Sequence, residues 1–206
     1  MTTHRAKHTA RPSSTTKKPK QESPAPPPSA PARKQALRKK HEQAEAPAAR
    51  LTHVDAHGRL TMVDVSATPE TPRVAIARGL LRCTPSTRDA LVAATTAKGE
   101  ALATAKVAGI LGAKHTGSLI PLCHPVPLTD VAVDILAVDD GLALEARAAC
   151  IGRTGVEMEA MVAVTVAGLT LYDMGKAAER GMVLEQVRLV EKRGGKSGVW
   201  RRAGEA

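Results

Sequence analysis

The chain has 206 residues, a formal net charge of +10 and 43% hydrophobic residues, which allows one domain of common size plus a further segment. It has no Phe, one Trp and one Tyr, so it nearly lacks the stacking side chains that single-strand nucleic-acid binders use. It has no run of about 18 uncharged apolar residues, and no apolar stretch follows its first basic residues. We therefore expect no membrane partner and no secretory signal.

The positive charge is concentrated in residues 1–50. This segment has twelve Lys or Arg against three Glu, a net charge of +9, and eight of the fourteen prolines. Because it has few large apolar side chains to bury, we predict a disordered basic tail followed by a folded domain over residues 51–202. A basic tail can bind nucleic acid or an anionic membrane, but a solvated extension of low specificity is the favoured interpretation. No specific nucleic-acid partner is therefore expected.

The three cysteines, Cys83, Cys123 and Cys150, lie far apart and form no CxxC motif. This usage is typical of a reduced, cytoplasmic protein and argues against a structural zinc site. The chain also lacks the GxGxxG and GxSxG patterns that accompany hydride transfer and serine hydrolysis.

The first predicted elements are extended. A turn signal at His57–Gly58 separates two short extended runs within residues 51–66, and alternation predicts a strand over 73–83. The Thr-Pro pair that begins the range 84–94 predicts a helix. A second helix is predicted over 98–114, where small residues suit close helix packing.

Residues 115–128 have three prolines, which forbid a helix through this segment. Leu122, Cys123 and His124 lie between them in a short, stiff, irregular piece. Rigid loops often carry functional side chains, so the three are candidates for a binding site. The alternatives stay open, because His124 is equally compatible with a structural histidine and Cys123 with a buried apolar side chain.

Three further strands are predicted by alternation, over 129–138, 142–151 and 182–192. The first two are joined by a hairpin turn at Asp139–Asp140–Gly141. The last is followed by a basic loop over 192–198 with three glycines, three cations and a serine. Such a loop can wrap phosphates with its backbone N–H groups, although an ordinary basic loop is the simpler interpretation.

A long apolar helix is predicted from Gly155 to about Gly181. Thr154 is its expected N-cap, and Glu157 stands in the capping-box position three residues later.

Four charges interrupt this helix: Glu157 and Glu159 near its start, and Asp173 and Lys176 near its end. Asp173 and Lys176 are three residues apart, so they share a face and can pair. Glu159 and Asp173 would be about 21 Å apart along a straight helix, too far for one small site to use both easily. Either the helix breaks, or another subunit completes the site, or only one end is functional. Together with the basic loop, these groups suggest acid–base chemistry on a phosphorylated compound.

Several long motifs, in this order, resemble the MoaC family over about residues 51–200. They are LTHVD, MVDVS, KGEALATAKVAGI, LIPLCHP, GRTGVEMEAM, YDMGKA and VRLVEKRGGKSG. The resemblance implies an α+β, ferredoxin-like subunit in a homohexamer, a trimer of dimers with active sites at its interfaces. It implies a lyase that makes cyclic pyranopterin monophosphate in molybdenum cofactor biosynthesis. The substrate would be a cyclised dihydro-GTP supplied by a radical-SAM GTP cyclase, and pyrophosphate would be released.

The resemblance also implies roles for individual residues. The implied catalytic residues are Asp173, Lys176, Lys98 and His124. The implied substrate contacts are Leu122, Cys123, His124, Glu157, Met158 and Glu159. Positive charge for the triphosphate falls at Arg73, Lys114, Lys192 and Lys196. No metal and no cofactor are implied, and whether magnesium accompanies the triphosphate stays open.

One position departs from the family, since many members have Cys where this chain has Gly175. The change alters helix propensity by about 1 kcal/mol at most and removes no predicted chemical group. Two competing hypotheses stay open. One is a nucleic-acid-binding or scaffold protein that uses the basic tail, and the other is an inactive homologue kept for assembly.

Overall fold

The structure is a computed structural model that describes residues 52–55, 57–93 and 100–205. The predicted tail and the predicted catalytic residue Lys98 lie outside the described residues. The helices are α1 (Pro85–Val92), α2 (Ala101–Lys114), α3 (Thr116–Leu119) and α4 (Glu157–Gly175). The strands are β1 (Thr71–Arg82), β2 (Leu128–Val138), β3 (Gly141–Gly152), β4 (Val183–Arg193) and β5 (Val199–Arg201).

The strands form one antiparallel sheet in the order β2–β3–β1–β4–β5. Apart from the short β5, the chain alternates as β1, helices, β2, β3, α4, β4. This is the βαββαβ arrangement of ferredoxin-like folds. The predicted α+β, ferredoxin-like class is confirmed, and the predicted turn at Asp139–Asp140–Gly141 joins β2 to β3.

The core lies between one face of the sheet and helices α2 and α4. Alternate residues of β1, such as Ala75, Ala77 and Leu81, are fully buried on this face, as expected for side chains with a period of two. Since no Phe fills the space between layers, the helices approach closely. A Cβ at Gly109 would lie only 2.8 Å from the Ala163 carbonyl oxygen. This tight packing of α2 against α4 fixes where the two ends of α4 stand.

The opposite face of the sheet carries a network of ion pairs. Arg78 lies 2.7 Å from Glu145 and 3.0 Å from Glu205. A cavity of about 420 Å³ opens beside this network, and its lining also includes Lys106 and Asp134, which are 3.6 Å apart. The charges of this cavity are thus paired with one another, and we do not place the functional site there.

The start of α4 differs from the prediction. Thr154 is not the N-cap, because the helix begins at Glu157 with Val156 as its N-cap residue and no side-chain cap hydrogen bond. The Glu157 carboxylate pairs instead with Lys192, 3.1 Å away on β4. An ion pair to a distant strand has thus replaced the predicted capping box.

The end of α4 also differs, because the helix stops at Gly175 and not near Gly181. The chain turns away there, and Glu179 Oε2 accepts hydrogen bonds from Thr84 N–H at 2.9 Å and Thr84 Oγ1 at 2.7 Å. A third difference is α3, a four-residue helix that fits before Pro121, within the segment where no helix was expected.

Candidate functional site

A cavity of about 440 Å³ lies beside the N-terminal end of α4. Three separate segments line it: the chain around residues 52–65, the irregular piece after α3, and the first turn of α4 with the residues before it. The cavity brings together five of the predicted substrate-binding residues, which are Leu122, Cys123, His124, Glu157 and Met158.

Glu159 is buried behind Cys123, with 2% of its surface exposed. Its Oε1 accepts a long hydrogen bond from Cys123 Sγ at 3.8 Å, and its Oε2 has no hydrogen-bond partner among the described residues. Burial raises the pKa of Glu159, because the charged form loses its water of hydration. A protonated carboxyl group can donate a hydrogen bond, which a carboxylate cannot.

Cys123 stands in the cavity wall as an unreactive thiol. Burial first, and then the neighbouring Glu159, raise the pKa of Cys123 to about 11. Only the thiolate is strongly nucleophilic, so this side chain is not a nucleophile at neutral pH. The geometry therefore suits Cys123 to contact a ligand and not to attack it.

Lys192 is connected to the cavity through Glu157, whose Oε1 lies 3.1 Å from its Nζ. Both side chains are about one-third exposed, at 32% and 27%. By contrast, Lys114 at the end of α2 and Lys196 in the loop after β4 are exposed, and neither lines the cavity within one chain.

Arg73 lies beside the basic loop. Its Nε and Nη2 donate to the carbonyl oxygens of Gly152 and Arg153, each at 3.2 Å. A Cβ at Gly195 would lie 1.8 Å from Arg73 Nη1, and the φ of Gly195 is +70°. Glycine is thus favoured there by the backbone conformation, whereas the flexible end of Arg73 could shift to make room. Arg73 thus lies between this loop and the segment that leads into α4.

Four residues of the N-terminal segment also line the cavity, and none of them had a predicted role: Thr52, His53, Val63 and Val65. Arg153 Nη1 fixes this segment by donating to Ser66 O at 2.6 Å, and Ser66 N–H donates to Asp64 Oδ1 at 2.8 Å. The hydrogen bonds from Ser66, and after them the charge on His124, lower the pKa of Asp64. The motifs LTHVD and MVDVS were the signal that could have found these residues.

Asp173 and Lys176 stand at the other end of α4. Their Oδ1 and Nζ atoms are 2.6 Å apart, which is the pair that their spacing predicts, and both side chains are about half exposed. The helix is unbroken from Glu157 to Gly175, so the alternative of a broken helix is wrong. Glu159 and Asp173 are about 21 Å apart along the helix axis. Neither Asp173 nor Lys176 lines the cavity of the same chain.

A comparison with protein families matches residues 62–195 to the MoaC family. The chain belongs to the MoaC family. The match covers both ends of α4 and the cavity residues from Val63 onward, and Thr52 and His53 precede it.

Three relatives named cyclic pyranopterin monophosphate synthase resemble this MoaC-family chain closely. The protein of Novosphingobium aromaticivorans is 56% identical over 153 residues, which are 74% of this chain and 98% of that protein. That of Thermomicrobium roseum is 54% identical over 156 residues, 75% of this chain and 94% of its own length. That of Rhodospirillum rubrum is 53% identical over 152 residues, 73% of this chain and 92% of its own length.

In this MoaC-family chain, helices α4 and α2 carry exposed aliphatic side chains, which are called the apolar stripe below. Met158 and Leu169 are eleven residues apart, which places them within about 20° of the same helix face, and they are 36% and 55% exposed. On α2, Val107 and Leu111 are four residues apart and 57% and 50% exposed. Exposed aliphatic side chains on two packed helices favour a contact region over a solvated surface.

Within the described ranges, no group of three or more His, Cys, Asp or Glu side chains is arranged to hold a metal ion. No helix in the same ranges is long and apolar enough to cross a membrane.

Proposed function

We propose that this chain is a cyclic pyranopterin monophosphate synthase, a lyase of molybdenum cofactor biosynthesis. It converts (8S)-3′,8-cyclo-7,8-dihydroguanosine 5′-triphosphate to cyclic pyranopterin monophosphate and releases pyrophosphate. Membership of the MoaC family and the names of the relatives support this reaction. The structural observation that carries it is the cavity, which gathers the predicted contact residues from separate segments.

The cavity suits a purine-derived ligand. Its volume of about 440 Å³ lies within the range of about 300–1,000 Å³ that small-molecule sites occupy. Leu122 and Met158 offer apolar contact, and His124 offers a polar ring. Glu159 supports the Cys123 thiol from behind by the hydrogen bond between them. A ring system with polar edges would be matched by these groups.

The basic residues around the cavity support binding of the triphosphate. We assign Lys192 and Lys196, together with the backbone N–H groups of the loop between them, to the phosphates. Arg73, which the carbonyl oxygens of Gly152 and Arg153 hold beside that loop, adds a further positive charge. Lys114 is exposed and outside the cavity of its own chain, so we assign it to the cavity of a neighbouring subunit.

The catalytic assignment is acid–base chemistry. Lys98, His124 and the Asp173–Lys176 pair move protons while the five-membered ring opens and the pterin ring closes. The pairing of Lys176 with Asp173, at 2.6 Å, points the ammonium group of the lysine in one direction. The phosphate-binding residues Lys192 and Lys196 would also stabilise the charge that develops on the leaving pyrophosphate.

We propose a homohexamer, a trimer of dimers, in which the active sites lie at subunit interfaces. Two observations support this arrangement. The Asp173–Lys176 pair and the cavity are at opposite ends of an unbroken helix, and the exposed apolar stripe on α2 and α4 runs between them. Burial of the stripe by a second copy would place the ion pair of one subunit at the cavity of another.

The proposed setting is the cytoplasm, where the three cysteines stay reduced. The proposed functional partner is the radical-SAM GTP cyclase that makes the cyclised substrate.

The function is tested with purified protein and cyclised dihydro-GTP, by measuring pyrophosphate release and the fluorescent oxidised pterin. We expect turnover by the wild-type protein and strong loss in Lys98→Ala and Asp173→Asn. Wild-type turnover in both variants would contradict these roles, and no pyrophosphate from the wild-type protein would contradict the function.

Deletion of residues 1–50 separates the enzyme from a nucleic-acid-binding protein. We expect the shortened chain to keep its turnover. If deletion abolished turnover, or if the main activity of the protein were salt-sensitive binding of nucleic acid that disappears with the tail, the second hypothesis would be favoured.

A further inference from the structure

Residues 52–55 and 57–61 form the two arms of a small hairpin at one wall of the cavity. Its two arms are joined by a bridge between Val54 and Leu60. Asp55 closes the turn, because its Oδ1 accepts the Arg59 N–H at 2.9 Å and its Oδ2 accepts Arg59 Nε at 2.9 Å. The hairpin is thus ordered by its own bonds, and a side chain that it directs toward the cavity has a defined position.

His53 is the titratable residue that this hairpin contributes to the cavity. Its Nδ1 lies 3.4 Å from the carbonyl oxygen of Thr61, across the hairpin. A carbonyl oxygen only accepts hydrogen bonds, so Nδ1 is the protonated nitrogen in this contact, and Nε2 has the lone pair of the neutral ring. Among the described residues, Nε2 has no hydrogen-bond partner.

The other polar groups that face the cavity are less suited to accept a proton. Cys123 is a thiol whose pKa burial raises to about 11, so its basic form is scarce at neutral pH. Glu157 is paired with Lys192 at 3.1 Å. The second imidazole of the cavity, His124, already interacts with Asp64, whose pKa its charge helps to lower.

We propose that His53 is a further catalytic residue, the general base of the cavity, and that its Nε2 takes a proton directly from the substrate or from the water that attacks it. The proposal rests on the proposed function. One proton moves from an O–H or N–H group to Nε2, and the ring becomes an imidazolium cation. The proton then passes to a substrate nitrogen whose bond to carbon breaks, or to solvent, and the neutral ring is restored. No oxidant and no cofactor are needed for this step.

The hairpin offers a matched set of variants. In His53→Asn the side-chain amide keeps a donor near the position of Nδ1 for the Thr61 carbonyl, but Nε2 is lost. In His57→Asn an exposed histidine of the same hairpin, which does not line the cavity, is replaced by the same residue. Both variants and the wild-type protein are assayed as full-length chains for kcat and KM from pH 5 to 9, and their unfolding temperatures are measured.

We expect kcat of His53→Asn to fall by about a hundredfold or more, as for loss of a general base, with KM and the unfolding temperature nearly unchanged. The acidic limb of the kcat profile, where a histidine base becomes protonated between about pH 5 and 8, should disappear. His57→Asn should behave as the wild-type protein does. Added imidazole should restore part of the turnover of His53→Ala, because the free ring can occupy the space that the substitution leaves.

Two results would overturn the proposal. The first is a wild-type kcat with an intact acidic limb in His53→Asn. The second is a loss of kcat in His53→Asn that follows a lower unfolding temperature, together with no restoration of turnover in His53→Ala by imidazole. A wild-type protein and a His57→Asn variant that both fail to release pyrophosphate would instead contradict the proposed function, so the two failures are distinguishable.

Discussion

The two ends of α4 hold their charges in opposite ways. At the N-terminal end, Glu159 is 2% exposed, and its Oε2 has no partner among the described residues. At the C-terminal end, Asp173 and Lys176 are about half exposed and form a close ion pair. The first end has a buried carboxyl group without a cationic partner, and the second has an ion pair that is exposed to solvent.

Neither arrangement of charges is explained by a gain in the stability of the folded chain. An unpaired buried carboxyl group destabilises the fold unless it is neutral or hydrogen-bonded, and an exposed ion pair contributes only about 0–1 kcal/mol. Both arrangements fit a divided active site. In the proposed oligomer, the buried group would support the cavity wall of its own subunit, and the exposed pair would act on a ligand in a neighbouring subunit.

The largest expected effect is that of Asp173→Asn on turnover. Because the pair is exposed, the free energy of unfolding should change by less than about 1 kcal/mol, whereas kcat should fall by about 10²- to 10⁴-fold. Pyrophosphate release and urea unfolding measure the two quantities. Asp134→Asn is the control, since Asp134 belongs to another exposed pair, with Lys106. Equal turnover in the two variants would remove Asp173 from the site.

The next effect concerns the reactivity of Cys123. With a pKa of about 11, its thiolate fraction at pH 8 is roughly a hundredfold below that of an ordinary cysteine. Alkylation by iodoacetamide, followed by mass spectrometry of the Cys123 peptide, should be slow in the folded protein and fast after unfolding. Glu159→Gln should accelerate it, because the neighbouring carboxyl group contributes to the raised pKa. Rapid alkylation in the folded wild-type protein would show that the thiol is not shielded.

A smaller effect is the pH dependence of stability. Burial raises the pKa of Glu159 above its ordinary value of 4.5, so its favourable contribution is complete below that value and is lost as pH rises through the folded-state pKa. The loss has a slope of at most about 1.4 kcal/mol per pH unit. Glu159→Gln removes this titration, so its stability relative to the wild-type protein should increase from pH 5 to 8 in urea unfolding. Glu185→Gln, at a carboxylate whose pKa is lowered by its hydrogen bond from Arg82, should show no such increase. The idea fails if the wild-type protein and Glu159→Gln lose stability in parallel.

The smallest effect is expected at Gly175, where the chain departs from the family. A Cβ there would lie 2.9 Å from Met182 Cε, the end of a flexible side chain. Gly175→Ala should therefore change the free energy of unfolding by no more than about 1 kcal/mol in either direction and leave turnover unchanged. Gly109→Ala is the contrasting variant, because its Cβ would meet the backbone oxygen of Ala163 at 2.8 Å, and it should lose about 1–3 kcal/mol. Similar losses in both variants would contradict this packing.

The sequence predicted most of the fold, because alternation, turn residues and helix spacing are local signals. The Thr154 cap was wrong for a non-local reason, since Glu157 is paired with Lys192, 35 positions later and on another strand. The helix end near Gly181 was wrong for a similar reason, because Glu179 is bound to Thr84 in the loop before α1.

The sequence predicted the proline-flanked loop of the candidate site better than it predicted the N-terminal segment that contains His53. The prolines around Leu122, Cys123 and His124 indicated a rigid loop, and this loop does line the cavity. A turn at His57–Gly58 between two short extended runs was also predicted, but the packing of this segment against the start of α4 was not. No local sequence pattern indicates where such a segment packs in the fold, so the side chains of this segment had no assigned role.

The most direct test of the divided site mixes two inactive variants, His124→Ala and Asp173→Asn. If each site takes His124 from one subunit and Asp173 from another, mixed oligomers contain some sites with both residues intact. Random mixing of equal amounts should restore up to about a quarter of wild-type turnover. Asp173→Asn mixed with Lys176→Met is the control and should stay inactive, because both substitutions lie in the same half of the site. If native mass spectrometry shows mixed oligomers of His124→Ala and Asp173→Asn that stay as inactive as each variant alone, the site is not divided between subunits.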